Sequence, residues 1–459
     1  MKKFARGIVK ARVPILIAAI ILLFPAAVGY MNTRINYDIL TYLPENIDTM
    51  KGQDILKEKF GSGAFAMYLC EGMDDKDVAN VKAQIEQVDH VKRVVWYDSF
   101  MDISVPKEMI PKKYRESFQN GDTTLMFIVF DDTTSADGTL DAVEEIRKIS
   151  NKQCFLSGAS ALTEDTKNLA KEETPIYVMM AVILAVIVLS LTMDSFLIPL
   201  FFLLNIGMAI IYNMGTNYMF GDISFITQCI AAVLQLGVTM DYSIFLWHSY
   251  EEQKERHPDD HKAAMATAIV ATFQSVIGSS ITTVAGFIAL CFMSFRIGLD
   301  LGLVMAKGVL FGVVACLTIL PSMILIFDRA LEKTRHKPLM PEFEKLPRFI
   351  SKRYYVFGLI FLVLLPFAIW GYNHTSVYYN MVGSLPDSLP GMQAQQVLKD
   401  NFEVDNHTGR GHRVRHYHQP RHSGLYGDDA SLHRFDCHQY DSAGLHRRLR
   451  NPDDLAVSV

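Results

Sequence analysis

The sequence predicts a multi-pass α-helical membrane protein with one folded α+β domain outside the bilayer. Three observations predict it. Half of the 459 residues are hydrophobic and only 20% are charged, against about 25% charge in soluble domains. The apolar residues gather into long blocks rather than short periodic runs. Between the first two blocks, residues 32–174 alternate strand and helix signals.

Blocks long enough to span a ~30 Å hydrocarbon core, about 20 residues of helix, lie near 13–31, 175–193, 196–214, 223–248, 268–293, 300–327 and 355–371, the last being the shortest. Lys2, Lys3, Arg6, Lys10 and Arg12 precede the first block as they would a signal peptide. The block is long for that role, however, and the small-residue pattern around Ala26 and Ala27 is a poor cleavage site. Orientation follows from basic residues in the short loops. The N-terminus and the loops 249–267 and 328–354 are rich in Lys and Arg, whereas 215–222 and 294–299 hold only Arg296. A cytoplasmic N-terminus (1–12), a plasma-membrane location, an extracytoplasmic domain at 32–174, a bundle over 175–327 and a cytoplasmic linker at 328–354 are expected.

Within 32–174, Ala64–Cys70, Val91–Tyr97, Thr124–Phe130 and Cys154–Leu156 read as strands. Asp75–Val88 and Leu140–Ile149 read as amphipathic helices, with Asp74 or Asp75 as an N-cap and Asp137-Gly138 as a turn. The order is that of a split β-α-β, ferredoxin-like sandwich; an unspecified α+β domain fits the same signals. Cys70 and Cys154 both face an oxidising side, and their pairing is left open.

The first sixty residues recur. Gly29-Tyr30, Leu43-Pro44-Glu45 and Leu56-Lys57-Glu58-Lys59-Phe60 return as Gly371-Tyr372, Leu385-Pro386-Asp387 and Leu398-Lys399-Asp400-Asn401-Phe402, always in the same register. That is a duplication signal. Parallel duplication of six-helix halves is a transporter architecture. Block 355–371 is then the first helix of a second repeat, and 372–406 opens a second external domain. The tail 407–459 lacks Lys, Glu, Ile and Met. A metal-binding role for His412, His416, His418 and His422 is weaker than an out-of-frame, disordered end to a truncated chain.

Other classes are excluded by what is missing. The 44 basic and 49 acidic residues leave a net charge of −5, so nucleic acid is not an expected partner. Six cysteines without a CxxC pair give no zinc or dithiol site. No P-loop, HExxH or GxSxG occurs, so no enzyme, cofactor or metal is expected.

The chemistry sits inside the membrane blocks. Asp241 lies well within the fourth block, and an intramembrane carboxylate is a functional residue by default. An early end to that block would instead make it interfacial. Gly237 lies one turn earlier on the same face, and Tyr242 adds a hydroxyl. The fifth block is polar on one side, through Gln274, Ser275, Ser279, Ser280, Thr282 and Thr283, for which close packing is the simplest reading. Lys307 in the sixth block has Asp241 as a candidate partner, or snorkels outward toward Asp300. Gly308 and Gly312 form a small-xxx-small packing face.

These residues carry a resemblance. Gly237-Val238-Thr239-Met240-Asp241-Tyr242 resembles the GxxxDY motif of the resistance–nodulation–division (RND) superfamily. Ser279-Ser280-Ile281-Thr282-Thr283-Val284-Ala285-Gly286-Phe287 and Leu317-Thr318-Ile319-Leu320-Pro321 are similar to its MMPL (mycobacterial membrane protein large) branch. The resemblance covers about residues 1–405. It implies a secondary exporter of lipids or amphiphilic drugs driven by protons, with Asp241 and Tyr242 as the proton relay and Gly237, Ser279, Thr282 and Thr283 packed beside it. Partners would be membrane lipids or hydrophobic substrates, with a homo-oligomer possible in place of the missing half. Alternatives are a lipid- or sterol-sensing protein of the Patched type, and an inactive fragment.

Overall fold

The computed structural model describes residues 1–402 apart from 45, 49, 53–54, 56–63, 101–111, 337–344, 376–382 and 384. The histidine-rich tail, with His412, His416, His418 and His422, lies outside the described residues, as do Glu45 and the first copy of the Leu56–Phe60 repeat.

The chain opens with a short helix α1 (Lys2–Lys10), helix α2 (Arg12–Asn32) and strand β1 (Ile35–Asn36). The inserted domain follows: β2 (Phe65–Glu71), α3 (Asp75–Ile85), β3 (Val91–Val95), α4 (Lys112–Phe118), β4 (Gln119–Asn120), β5 (Thr123–Phe130), α5 (Asp137–Ile149) and β6 (Cys154–Ser157). Then come α6 (Ala159–Thr192), α7 (Leu197–Gly215), β7 (Ile223–Ser224), α8 (Phe225–Arg256), α9 (His261–Leu290), α10 (Ile297–Ile326), α11 (Asp328–Lys333), α12 (Lys345–Lys352), α13 (Tyr354–His374) and α14 (Pro390–Phe402). Seven of the described helices, α2, α6 to α10 and α13, are long and apolar enough to cross a membrane.

Helices α7 and α10 form the centre of the bundle, with Phe202 and Ala209 in one buried cluster with Val309, Val313, Cys316 and Leu320. Lipid supplies no hydrophobic force between helices, so contact depends on close approach of small residues. Gly29 of α2 and Gly215 of α7 show this. A Cβ on Gly29 would collide with the Gly215 carbonyl, and one on Gly215 with the Ala26 carbonyl. By contrast α13 buries no residue.

Two ends of the bundle are distinguishable. At one, β1 pairs parallel with β7 (Ile35 with Ile223) and the Arg296 amide donates to the Tyr42 carbonyl at 2.9 Å. At the other, Arg335 bridges Asp194 (3.2 Å) and Glu251 (2.7 Å), and Trp247 Nε1 donates to Asp194 at 3.2 Å.

In the inserted domain the strand order is β3-β5-β2-β6, every neighbour antiparallel, with β4 beside β5. Strand β2 is buried on both faces. Ala66, Tyr68 and Cys70 join the core with Val78 and Ile85 of α3 and Val143 and Ile146 of α5. Met67 and Leu69 pack with Leu125 and with Leu398 of α14. The segment expected to open a second domain thus caps the free face of the first sheet.

Several expectations are corrected. The helix that carries the second apolar block does not begin with that block at residue 175. Helix α6 runs unbroken from Ala159, about 51 Å at 1.5 Å per residue, with Pro175 inside it. Hydropathy marks only the apolar stretch, whereas the earlier turns bury Ser160, Leu162, Glu164 and Asp165 in the domain. Asp137 lies in the first turn of α5 rather than in a free turn, and Asp74 precedes α3 without a side-chain capping bond. Elements α1, β1, α4, β4 and β7 are too short or too polar for the periodicity to register. Cys70 and Cys154 are direct cross-strand partners with their sulfurs 3.9 Å apart as free thiols. The Cys70 thiol is pushed up, first by its bond to Cys154 and then by burial.

Candidate functional site

Helix α8 starts at a double cap. Ser224 Oγ accepts from the Ile226 amide at 3.2 Å, and Asp300 of α10 accepts from the Ser224 amide and Thr227 Oγ1, both at 2.7 Å. An acid at this end complements the helix dipole, so the sixth span fixes where the fourth begins.

Asp241 lies 16 residues further on, about 24 Å along the axis, mid-way through α8. It is exposed, as are Val233, Leu234, Gly237, Phe245 and His248, which recur every three to four residues and make one stripe. A Cβ on Gly237 would meet nothing within 4 Å. Asp241 has no hydrogen bond or ion pair among the described residues. Tyr242 turns into the bundle instead, 2% exposed, with its hydroxyl buried and unpartnered. No hydrogen bond joins the two residues of the expected relay, because consecutive helical residues point about 100° apart.

The polar side of α9 faces outward as well. Gln274, Ser275, Ser279 and Thr282 are exposed, Thr283 is half-buried and Ser280 is buried. Thr282 and Thr283 Oγ1 donate to the Ser279 carbonyl at 2.7 and 3.0 Å, so these hydroxyls are satisfied within their own helix. None of the three bonds Asp241. Interspersed with them are Ala271, Gly278, Ala285, Gly286 and Ala289, and the larger Ile281 and Ile288, also exposed. The exposed side of the membrane part of α6 has Ile183, Leu184, Ile187 and Leu191 instead. Large aliphatic surface suits lipid, while small and hydroxyl surface suits another helix.

Lys307 pairs with neither expected acid. Its Nζ donates to Asn217 Oδ1 and lies 5.0 Å from the Phe220 ring centroid. Asp300 is occupied by the α8 cap. Lys307, Arg296 and Asp300 line one cavity of about 350 Å³.

Inside the bundle a polar column runs where the sequence reading had only packing. Asn213 Nδ2 donates to Gln235 Oε1 (2.9 Å), and Gln235 Nε2 to the Gly308 carbonyl (3.1 Å). A Cβ on Gly308 would lie 2.6 Å from Asn213 Nδ2, and one on Gly312 would strike Thr239. The small-xxx-small face of α10 thus seats two polar residues of α8. The signal available was Asn205, Asn213 and Gln235 standing inside apolar blocks. At the other end Tyr250 Oη donates to Asp328 (3.3 Å), His261 is bonded to the same carboxylate, and Lys254 Nζ is 3.2 Å from Glu332. His261, Asp328 and Glu332 bring three potential metal ligands together, but the Lys254 ammonium already supplies positive charge there.

The sequence matches the MMPL family over residues 41–353. It is 27% identical over 258 residues to ActII-3 of Streptomyces coelicolor, which covers 54% of this chain and 34% of that one. It is 26% identical over 259 residues to MJ1562 of Methanocaldococcus jannaschii, covering 56% and 63%. With "Probable transport protein MmpL4" of Mycobacterium leprae the identity is 26% over 180 residues, covering 38% and 19%. The chain spans about a third of the length of ActII-3 and under two thirds of MJ1562.

Proposed function

The chain belongs to the MMPL family, and from that premise we propose that it is half of a proton-driven exporter of lipids or amphiphilic compounds, with Asp241 as the proton carrier. It is a multi-pass membrane protein of a transporter family. The observation that carries the finer reading is the exposed stripe of α8, where a carboxylate and an open glycine stand on the outward side of a helix long and apolar enough to span.

A bare charge in a spanning helix costs up to about 2.5–3.5 kcal/mol on insertion scales, the value at the bilayer centre. The stripe and the small-residue side of α9 therefore call for further protein, either a second six-helix repeat or a second copy of this chain. Enclosed there, Asp241 alternates between neutral and charged forms as it takes a proton from one side and gives it to the other. Tyr242, buried one position on, supplies the relay's hydroxyl from the bundle side of α8, where it makes no bond among the described residues. In this reading the N-terminus is cytoplasmic in the plasma membrane, supported by the basic residues that gather at the Arg335 end. The inserted domain is extracytoplasmic, and its strand order and two-helix layer support a ferredoxin-like arrangement.

The test is reconstitution in liposomes with an imposed pH gradient, following proton flux and export of a fluorescent lipid. Asp241→Asn is expected to abolish both while membrane expression is unchanged. Full export by that variant would overturn the relay, and export by a proven monomer would overturn the need for a covering half. Lipid binding without any proton flux would favour a sensing role instead.

A further inference from the structure

Helix α1 lies against the start of α9, at the Arg335 end of the bundle. Its apolar side, Ala5, Ile8 and Val9, is buried in the same core cluster as Ala264, Met265 and Ala268 of α9. The Phe4 ring meets Phe273 edge-on at 6.5 Å. That docking turns the charged side of α1 toward the first turn of α9 and leaves a cleft of about 440 Å³ between them.

Four cations line the cleft: Arg6, Lys10, Arg12 and Lys262. None is ion-paired to a carboxylate among the described residues. The one acid present, Asp260, already accepts the Lys262 and Ala263 amides through Oδ1, at 3.1 and 3.0 Å, so it also occupies the helix N-terminus that would otherwise receive an anion. Arg12 is the first residue of α2, which sets the cleft at the level where the first span enters the bilayer. Lining residues Val9 and Ala266 give it an apolar wall.

We propose that this cleft between α1 and α9 binds the phosphate headgroup of an anionic glycerophospholipid. The four positive charges recognise the phosphate. The apolar wall and the position at the membrane surface favour a phosphate that carries a glycerol ester over a free ion. Basic pockets between spanning helices hold anionic headgroups on the same principle. The site is separate from Asp241 and does not depend on export.

The test is native mass spectrometry of the purified full chain in detergent, titrated with phosphatidylglycerol, phosphatidylcholine or inorganic phosphate. Phosphatidylglycerol is expected to bind saturably, and the other two much more weakly. Removing a basic residue near a headgroup costs about fivefold in affinity, the equivalent of about 1 kcal/mol. The double variant Lys10→Gln with Lys262→Gln is therefore expected to lose roughly 25-fold. Lys2→Gln with Lys3→Gln removes the same charge from the same terminus but outside the cleft, and is expected to stay within about twofold. Lys10→Arg with Lys262→Arg is expected to retain binding, which separates charge from fold. Equal losses in the two Gln pairs would mean a diffuse surface field and would overturn the proposal. So would phosphatidylcholine binding as tightly as phosphatidylglycerol, or inorganic phosphate competing at equal affinity.

Discussion

Asp165 is the joint at which α14 is fastened to the inserted domain. It is 3% exposed and accepts from Arg147 Nη1 at 2.6 Å and from the Gly391 amide at 2.7 Å. Replacing it with Ala strands both donors. A hydrogen bond to a charged group contributes about 1.5–3 kcal/mol, and a buried donor left alone costs about 1–3 kcal/mol. Arg147 keeps some hydration at 21% exposure and also donates to the Ala161 carbonyl at 3.3 Å, so its share falls at the low end. The share that holds α14 is the Gly391 bond, about 1.5–2 kcal/mol, or a 10- to 30-fold rise in opening of that helix. Lys399 on α14 is exposed but helical, and trypsin cleaves it only when the helix opens. The assay is the rate of trypsin cleavage after Lys399 in the full chain in detergent, expected to rise 10- to 30-fold in Asp165→Ala. Asp165→Asn keeps an acceptor for the Gly391 amide and is expected to rise only a few-fold. A Cβ on Gly391 would lie 2.5 Å from Asp165 Oδ2, so Gly391→Ala is expected to mimic Asp165→Ala. A cleavage rate within twofold of the parent in both Asp165→Ala and Gly391→Ala would refute the joint.

Gly308→Val is expected to cost about 1–3 kcal/mol of bundle stability by overpacking, read as a lower melting temperature in detergent, whereas Gly237→Ala, with open space around it, leaves that temperature unchanged. An equal effect of the two would contradict the packing of α10 on α8. Tyr242→Phe removes one hydroxyl that makes no bond among the described residues, so it is expected to leave the fold intact and to reduce proton flux less than Asp241→Asn; loss of folding would contradict the free hydroxyl. Cys70 and Cys154 adjoin the hydrogen-bonded Glu71–Gln153 pair and so sit at a close, non-hydrogen-bonded position, with the Glu71 amide 2.8 Å from the Gln153 carbonyl. Oxidised glutathione is therefore expected to convert them to a disulfide, leaving four of the six cysteines alkylatable after denaturation, and alkylation of all six would count against the geometry.

The amino-acid sequence by itself determined the membrane class and the seven segments long and apolar enough to span, because twenty-residue apolar runs can do little else in water or lipid. It also determined the four main strands and two helices of the inserted domain, whose periodicities of two and about 3.6 register locally. The motif around Gly237 and Asp241 falls on one exposed face of α8, as its four-residue spacing requires. Only the tertiary structure decided what each polar residue touches. Asp241 faces outward while Tyr242 faces inward, a consequence of helical angle that adjacency in sequence conceals. Lys307 found Asn217 rather than an acid, because Asp300 was taken by the start of another helix. The α6 helix runs straight from domain to membrane, since its first turns are held by Asp165 and neighbours that hydropathy counts as polar. Helix α14 lies on the sheet of the first domain through Leu398, a contact between residues more than two hundred positions apart in the chain. Apolar content is a property of a segment and can be read along the chain, whereas partnership is a property of space and is settled only when the segments meet.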